Sequence, residues 1–521
     1  MTERSWGIIA SMPLTLLTWL LALLPVLVIL VLMLGLKWGG SKAGAVGLVV
    51  SLLVAVLFFG AGGKLIAISQ GKGLLLTFDV LYIIWTALLL FHIADEAGAV
   101  RIIGQALPRL TTDRMMQGLL LGWLFASFLQ GMGGFGVPVA VAAPLLVGLG
   151  FTPVQAVIMA CIGHGWAVNF GSLATSFQTL MAVTGLPGEL LAPDSALLLG
   201  LSAIACGSVV AFVAAGWKGL LRALPAVLAL SAVMGGVQYL LVTNGLWTLG
   251  ATGGAMAGLV VGIGVARLPL YHGQATEIQH PQAPLVAFSA YAVLILLAFG
   301  INLIPPVNAL LDAVQINFQF PAVSTSFGWS TPAEPGRAIN ILGHPGALLL
   351  YSSSIAYLIY ARAGYYKPGA LQRILRKTYK GAVNSSLGIL AMVGMAVIMS
   401  HSGMTNLLAQ GLSVSFGAAT YPVVAPFIGA LGAFITGSNN NSNVLFAALQ
   451  MRTAELLGLD VPLILGAQTA GGSLGSVMAP AKVIVGCSTV GLGSSEGAVM
   501  GKILIYGLIP VALVAVLVFF F

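Results

Sequence analysis

Charge is what this chain has least of: of 521 residues only 7% are Asp, Glu, Lys or Arg, where a soluble domain carries about 25%. With 59% hydrophobic residues, the deficit excludes a soluble enzyme and makes lipid the solvent in which the chain folds. Acids are scarcer than bases, 13 against 21. In a membrane protein that excess marks cytoplasmic loops, so no nucleic-acid partner is expected. Cysteine is nearly absent. Cys161, Cys206 and Cys487 each lie in an apolar run without CxxC or metal-ligand spacing, which implies neither a disulfide framework nor a metal site. There is no HExxH and no intramembrane aspartate pair, so an intramembrane protease is excluded and neither an enzyme nor a cofactor is expected.

What is present is a series of uncharged stretches, each to be compared with the ~20 apolar residues of a membrane span. The first, 5–36, is too long for a secretory signal and reads as a retained span. Others fall at 43–63, 73–94 (broken only by Asp79), 195–217, 223–266, 278–311, 338–361, 461–481 and 503–521. The stretch 362–380 carries Arg362, Lys367, Arg373, Arg376, Lys377 and Lys380 and no acid, which makes it cytoplasmic by the positive-inside rule. Residues 267–284 read as a linker between a first half, 1–266, and a second, 285–521.

Two uncharged runs stand apart, 115–188 and 381–451. Both place Gly, Asn, Ser and Gln inside apolar sequence. Irregular backbone at membrane depth is tolerated only where protein buries it or it lines a cavity. The runs also share an order. "FLQGMGGFGVPVAVAAPLLVGLGFTP" starts at Phe128, and "FITGSNNNSNVLFAALQ" starts at Phe434 with "LLGLDVP" closing at Pro462. Each reads Phe, two residues, Gly, a polar or Gly-rich turn, an apolar helix, a Gly-Leu turn and a Pro. A second break follows each Pro by ten residues, at Gly163 and Gly472. The expectation is an all-α polytopic membrane protein of about 11 to 14 membrane segments. It would contain two inverted repeats, each with a re-entrant hairpin and a broken helix, at 128–180 and 434–482.

Helix N-termini with free N–H groups suit a small anion. Candidate binding residues are Gln130, Gly131, Gly133, Gly134, Phe135 and Gly136 in the first hairpin, and His164 and Asn169 in the first broken helix. In the second half they are Ser438, Asn439, Asn440, Asn441 and Asn443, then Gln468, Thr469, Gly471, Gly472, Ser473 and Lys482. The glycines would offer amides to a carboxylate, and the Asn and Ser groups would hold a hydroxyl. Close helix packing is the plainer use of glycine, but consecutive polar residues at 438–443 exceed what packing requires. His164 and Asp79 are the candidate proton carriers. Lys482 either neutralises the substrate or snorkels to the interface. His401, His92, Asp95, Glu96 and Arg337 read as helix ends or loop charge.

At these strings, and at "GAQTAGGSLGSVMAPAKVIVGCSTVGL", the chain resembles the L-lactate permease family of bacterial carriers, in segment order over nearly its whole length. The resemblance implies a secondary transporter of the cell membrane for lactate and related 2-hydroxymonocarboxylates such as glycolate. It also implies proton symport, and alternating access with a mobile domain on re-entrant hairpins, an elevator. This chain departs from the family pattern where Gln130 replaces a Glu, Asn439 an Asp, Ser476 a Lys and Ala481 a Gln, while His164 stands where Asn is usual. Three ionisable groups are thus neutral here. A dicarboxylate or sulfonate carrier and a uniporter stay open as alternatives, an anion channel more remotely. The expected partners are a lactate-like anion, protons, the lipid bilayer and, as one assembly, a second copy of the chain.

Overall fold

The computed structural model describes residues 12–36, 38–99, 102, 111–134, 136–271, 286, 289–303, 305–311, 313–336, 339–492 and 496–521. The apolar runs form helices because lipid offers the backbone no hydrogen bonds, so each span must satisfy its own. In chain order the first half contains α1 (Leu16–Leu34), α2 (Gly40–Phe59), α3 (Gly63–Glu96), α4 (Arg114–Met132), α5 (Val137–Gly148), α6 (Pro153–Gly163), α7 (Thr175–Thr184), α8 (Gly188–Thr243) and α9 (Gly250–Ala266). The second contains α10 (Ser289–Leu303), α11 (Pro305–Leu311), α12 (Pro345–Arg362), α13 (Ala370–His401), α14 (Met404–Thr436), α15 (Asn439–Leu457), α16 (Val461–Ser476), α17 (Pro480–Thr489) and α18 (Glu496–Phe520). Between α11 and α12 three short antiparallel pairings, Gln315 with Asn340, Gln319 with Pro335 and Val323 with Thr331, make one β-hairpin.

Among the described residues ten helices are long and apolar enough to cross a membrane, fewer than the 11 to 14 expected. Part of the difference is α8. Its 56 residues bend at Gly216, in an extended left-handed conformation, and at ~1.5 Å per residue each part is long enough to cross alone. The expected linker at 267–284 falls mostly outside the described residues, as does Arg337. The basic stretch is a loop only at 363–369: Arg362 closes α12, and from Ala370 the chain forms the first turns of α13, whose Arg373 and Lys377 pair with Glu96 at the end of α3. Glu96, Arg373 and Lys377 therefore tie α3 to α13 at the basic face.

Large apolar side chains such as Leu16, Leu57, Val260 and Phe520 are exposed, the pattern of a surface solvated by lipid. Inside, one core gathers Trp123, Phe125, Trp166, Phe170 and Phe177 from α4, α7 and the chain before α7. A second, smaller core joins α1 and α2 to the end of α13 and the start of α14.

Candidate functional site

Four interruptions of helical structure carry the site, each with a local cause. α4 ends at Met132 and α5 begins at Val137, with Gly134 and Gly136 at positive φ making the reversal between them. α6 starts with Pro153 behind a Thr152–Gln155 capping box and stops at His164. The chain then takes eleven residues to reach α7, and in this stretch Ser172, Leu173 and Ala174 all have positive φ, between 46° and 63°. Such backbone costs of order 1–3 kcal/mol per residue. It is held by the end of α4: the amides of Ser172 and Leu173 donate to the carbonyls of Gln130 (2.7 Å) and Gly131 (3.2 Å). α14 ends at Gly437, in left-handed conformation, and Ser438 caps α15 in extended conformation. The fourth break lies at 477–479, between α16 and α17.

That last position differs from expectation. Gly471 and Gly472 sit within continuous α16, so their amides belong to the helix. Their use is contact: a Cβ on Gly471 would lie 1.9 Å from the carbonyl oxygen of Pro426, and one on Gly472 would lie 2.0 Å from Oδ1 of Asn439. Gly131 and Gly133 likewise close the end of α4, the amide of Gly133 donating to the Leu129 carbonyl, and they pack on Thr252 and Phe91. These four glycines let helices touch and do not offer free amides. Phe135 lies outside the described residues.

The polar side chains do converge. Asn439 and Asn443, one turn apart on α15, both donate from Nδ2 to Thr469 Oγ, at 3.2 and 2.9 Å. Asn439 also donates to Ser473 Oγ at 3.1 Å. Thr469 donates to Oδ1 of Asn169 at 2.7 Å, so the break between α6 and α7 is joined to α15 and α16. Asn443 reaches the carbonyl of Ser176, and the Ser176 hydroxyl donates to Oδ1 of Asn440. Gln468 donates to Ser442 and accepts from Gln450. Asn169, Asn443, Gln468, Thr469 and Ser473 have no exposed surface, and Asn439 has 1%. Asn441 points the other way, towards Gly40 of α2, because it lies on the opposite face of α15. Ser438 is half-buried at the turn.

Ser176 and Gln450 escaped the sequence reading, while Ser442 lay within the polar run 438–443. Gln450 had a usable signal, since it follows Asn443 by two helical turns on one face. Ser176 had none, because the left-handed run before it alters the phase of the helix.

Lys482 is buried, 7% exposed, and its ammonium donates to Ser476 Oγ at 3.0 Å. The lysine is the third residue of α17, yet its charge returns across the break to the position where the resemblance has a lysine. His164 is fully buried, and its Nδ1 lies 2.6 Å from the carbonyl oxygen of Ala160. A carbonyl only accepts, so Nδ1 carries the proton and Nε2 presents a lone pair. Nε2 of His164, Nδ2 of Asn169, and the side-chain oxygens of Gln130, Asn439 and Asn443 are buried without a protein partner. Orphaned polar atoms of this kind are costly unless something else satisfies them. Asp79 is not at this centre. It is buried in α3 and accepts a 2.9 Å hydrogen bond from Nε2 of His344, whose Nδ1 accepts from the Gly346 amide at the start of α12.

Helices that break around a buried cluster of amides, hydroxyls and one ammonium place the chain in a class: an all-α, multi-pass membrane transport protein. The family follows from sequence comparison. The model of the L-lactate permease family matches residues 18–521, and the chain belongs to that family. It is 27% identical over 511 residues to the L-lactate permease of Halalkalibacterium halodurans, covering 93% of each chain. It is 27% identical over 515 residues to the glycolate permease of Escherichia coli, covering 92% of this chain and 90% of that one. Among solved structures, the YdaH transporter of Alcanivorax borkumensis has a TM-score of 0.49 and 14% identity, over 88% of this chain and 87% of that one.

Proposed function

We propose that this protein is a secondary transporter of small organic anions, with L-lactate and related 2-hydroxymonocarboxylates as substrates. Family membership supports the substrate class. The observation that carries the site assignment is the buried cluster joining Asn169 to Asn439, Asn443 and Thr469, with Lys482 as its neighbouring cation. In this reading the ammonium of Lys482 and Nδ2 of Asn169 bind the carboxylate, since charge-assisted and amide donors both favour it. The substrate hydroxyl, with one hydrogen to give, donates to one of the unpartnered oxygens of Asn439, Asn443 and Gln130. Ser438, Asn440, Gln468 and Ser473 position these groups, and Gly134 and Gly136 shape the first turn.

Coupling is to protons through His164, whose Nε2 lone pair is the proton acceptor of the centre, with Asp79 as the second candidate. The two halves, 1–266 and 285–521, alternate access around the cluster, as an elevator by family analogy. A uniporter is the second reading. The neutral Gln130 and Asn439 favour it, because they remove acids through which a proton would otherwise pass.

Uptake of labelled L-lactate into proteoliposomes, with and without an inward proton gradient, tests the proposal. Saturable uptake competed by glycolate supports it. A protein that carries dicarboxylates or sulfonates but no lactate overturns the substrate assignment. A His164→Ala variant that keeps full gradient-driven uptake removes His164 from coupling.

A further inference from the structure

Away from the buried cluster, the structure contains an open cleft of about 530 Å³ between the start of α6, the bend of α8 and the first turns of α18. Its walls are of two kinds. Ile158, Phe212 and Ile505 are apolar, while Gln155, Lys502 and Tyr506 are polar, and among the described residues no acid lines it. Lys502 is exposed, and among the described residues nothing pairs with its ammonium. Gln155 is already committed. Its Oε1 accepts from the Thr152 amide at 3.1 Å and its Nε2 donates to the Val213 carbonyl at 2.9 Å, which ties α6 to α8 and keeps the cleft formed.

Charge gives its side of the membrane. Arg114, the first residue of α4, donates to the Gly150 carbonyl at 2.7 Å and lies over the Phe151 ring, 4.5 Å from its centre, just before Thr152. Arg222 of α8 pairs with Asp113, so these two cancel. Arg114, Lys502 and the exposed Lys218, two residues after Gly216, remain as positive charge, which makes this end cytoplasmic. Helix length gives the depth. α6 runs 11 residues from the cleft to His164, about 16 Å, or roughly half of a ~30 Å hydrocarbon layer. With the buried cluster at mid-depth, the cleft therefore lies where acyl chains meet headgroups. Aromatic rings mark the same level: Tyr506 packs on Phe212 at 6.2 Å, and Phe212 on Trp217 at 6.4 Å. Trp217 is 64% exposed, and such amphipathic rings gather at the membrane interface.

We propose that this cleft binds an anionic phospholipid of the cytoplasmic leaflet, one acyl chain lying along Ile158, Phe212 and Ile505 and the phosphate held by Lys502. Lys218 and Arg114 add to the attraction, and the Tyr506 hydroxyl is a further donor. Basic pockets between membrane helices on the cytoplasmic side suit anionic headgroups, whereas a choline headgroup brings a cation that cancels the gain. Both parts of the cleft are needed. The lysines alone would attract a diffuse layer of anionic lipid, and the apolar walls alone would accept any tail. The inference goes beyond the carrier reading and does not depend on it.

The test titrates the full chain, purified in detergent and stripped of lipid, with dioleoyl phosphatidylglycerol or dioleoyl phosphatidylcholine and reads the first bound lipid by native mass spectrometry. The expected result is a preference for phosphatidylglycerol of roughly tenfold or more. Lys502→Gln should lower it about fivefold, Lys502→Arg should retain it, and Lys218→Gln with Lys502→Gln should bring it close to unity. Lys367→Gln with Lys380→Gln, which removes the same charge elsewhere on the basic face, should leave it unchanged. Ile505→Trp, which fills the groove and keeps every base, should also abolish the preference, and Val154→Trp repeats that arm from the facing wall should Ile505→Trp fold poorly. Equal binding of the two lipids, or a preference indifferent to Lys502→Gln, overturns the site. A preference that survives filling of the groove, or that falls equally in the Lys367 and Lys380 control, shows a diffuse charge effect and overturns it too. Failure of lactate uptake in a protein that keeps the preference leaves the lipid site standing and refutes the carrier reading alone.

Discussion

At the scale of residues, the proposed site rests on one buried charge, Lys482. Lys482 reaches back over the break between α16 and α17 to hydrogen-bond Ser476, so charge and main-chain position have separated. Removing the ammonium should cost roughly 2–3 kcal/mol of substrate binding, or about 30- to 160-fold in kcat/KM. We expect that loss in Lys482→Ala. Adding Ser476→Lys to the same variant should restore much of the activity, as read by initial rates of lactate uptake. Asp79 makes a different prediction. Truncating one member of a buried hydrogen-bonded pair costs about 3–5 kcal/mol, so Asp79→Ala should lower the melting temperature in detergent markedly. Asp79→Asn keeps an acceptor for His344 Nε2 and should lower it much less. The sequence revealed Lys482 and His164 as polar residues in apolar surroundings. It could not show that His344, 265 positions beyond Asp79, is the partner of that acid, since contact across helices leaves no mark in local pattern.

At the scale of elements, glycine serves contact more than ligand binding. A Cβ on Gly475 would stand 2.2 Å from the carbonyl oxygen of Ala430, and one on Gly471 1.9 Å from that of Pro426, so α14 and α16 meet backbone to backbone. Gly475→Ala should push them apart and destabilise the protein by about 1–3 kcal/mol. Gly71→Ala, with nothing within 4 Å in α3, should be neutral or stabilising by up to ~1 kcal/mol through helix propensity. Thermal unfolding of the two variants separates packing from propensity. Helix starts were legible where chemistry marks them: Pro153 behind Thr152 and Pro462 behind Asp460. The break at Ser172, Leu173 and Ala174 was not, because none of the three is a residue that favours positive φ. Tertiary hydrogen bonds to the carbonyls of Gln130 and Gly131 impose it. For the same reason the last break was expected at Gly472: its Gly-Gly-Ser string looks like a turn, yet packing against α14 keeps it helical.

At the scale of the whole molecule, scarcity of charge foretold the class, and the distribution of that scarcity located the centre. The polar groups in the two longest uncharged runs meet in one buried network, with Asn169 and Ser176 from one and Asn439, Asn440 and Asn443 from the other. Sidedness follows from the basic face at Arg373 and Lys377. A cysteine introduced at Lys367 should be labelled only after permeabilisation, and one at Phe327, exposed in the β-hairpin, should be labelled in intact cells. Reversal of both would invert the topology. The central claim, a carrier for lactate-like anions, is tested most directly by proteoliposome uptake of labelled L-lactate under an imposed proton gradient. The account predicts saturable uptake that glycolate competes, that Lys482→Ala strongly reduces and that His164→Ala uncouples from the gradient. Uptake indistinguishable from protein-free liposomes, with the folded protein present, would contradict it.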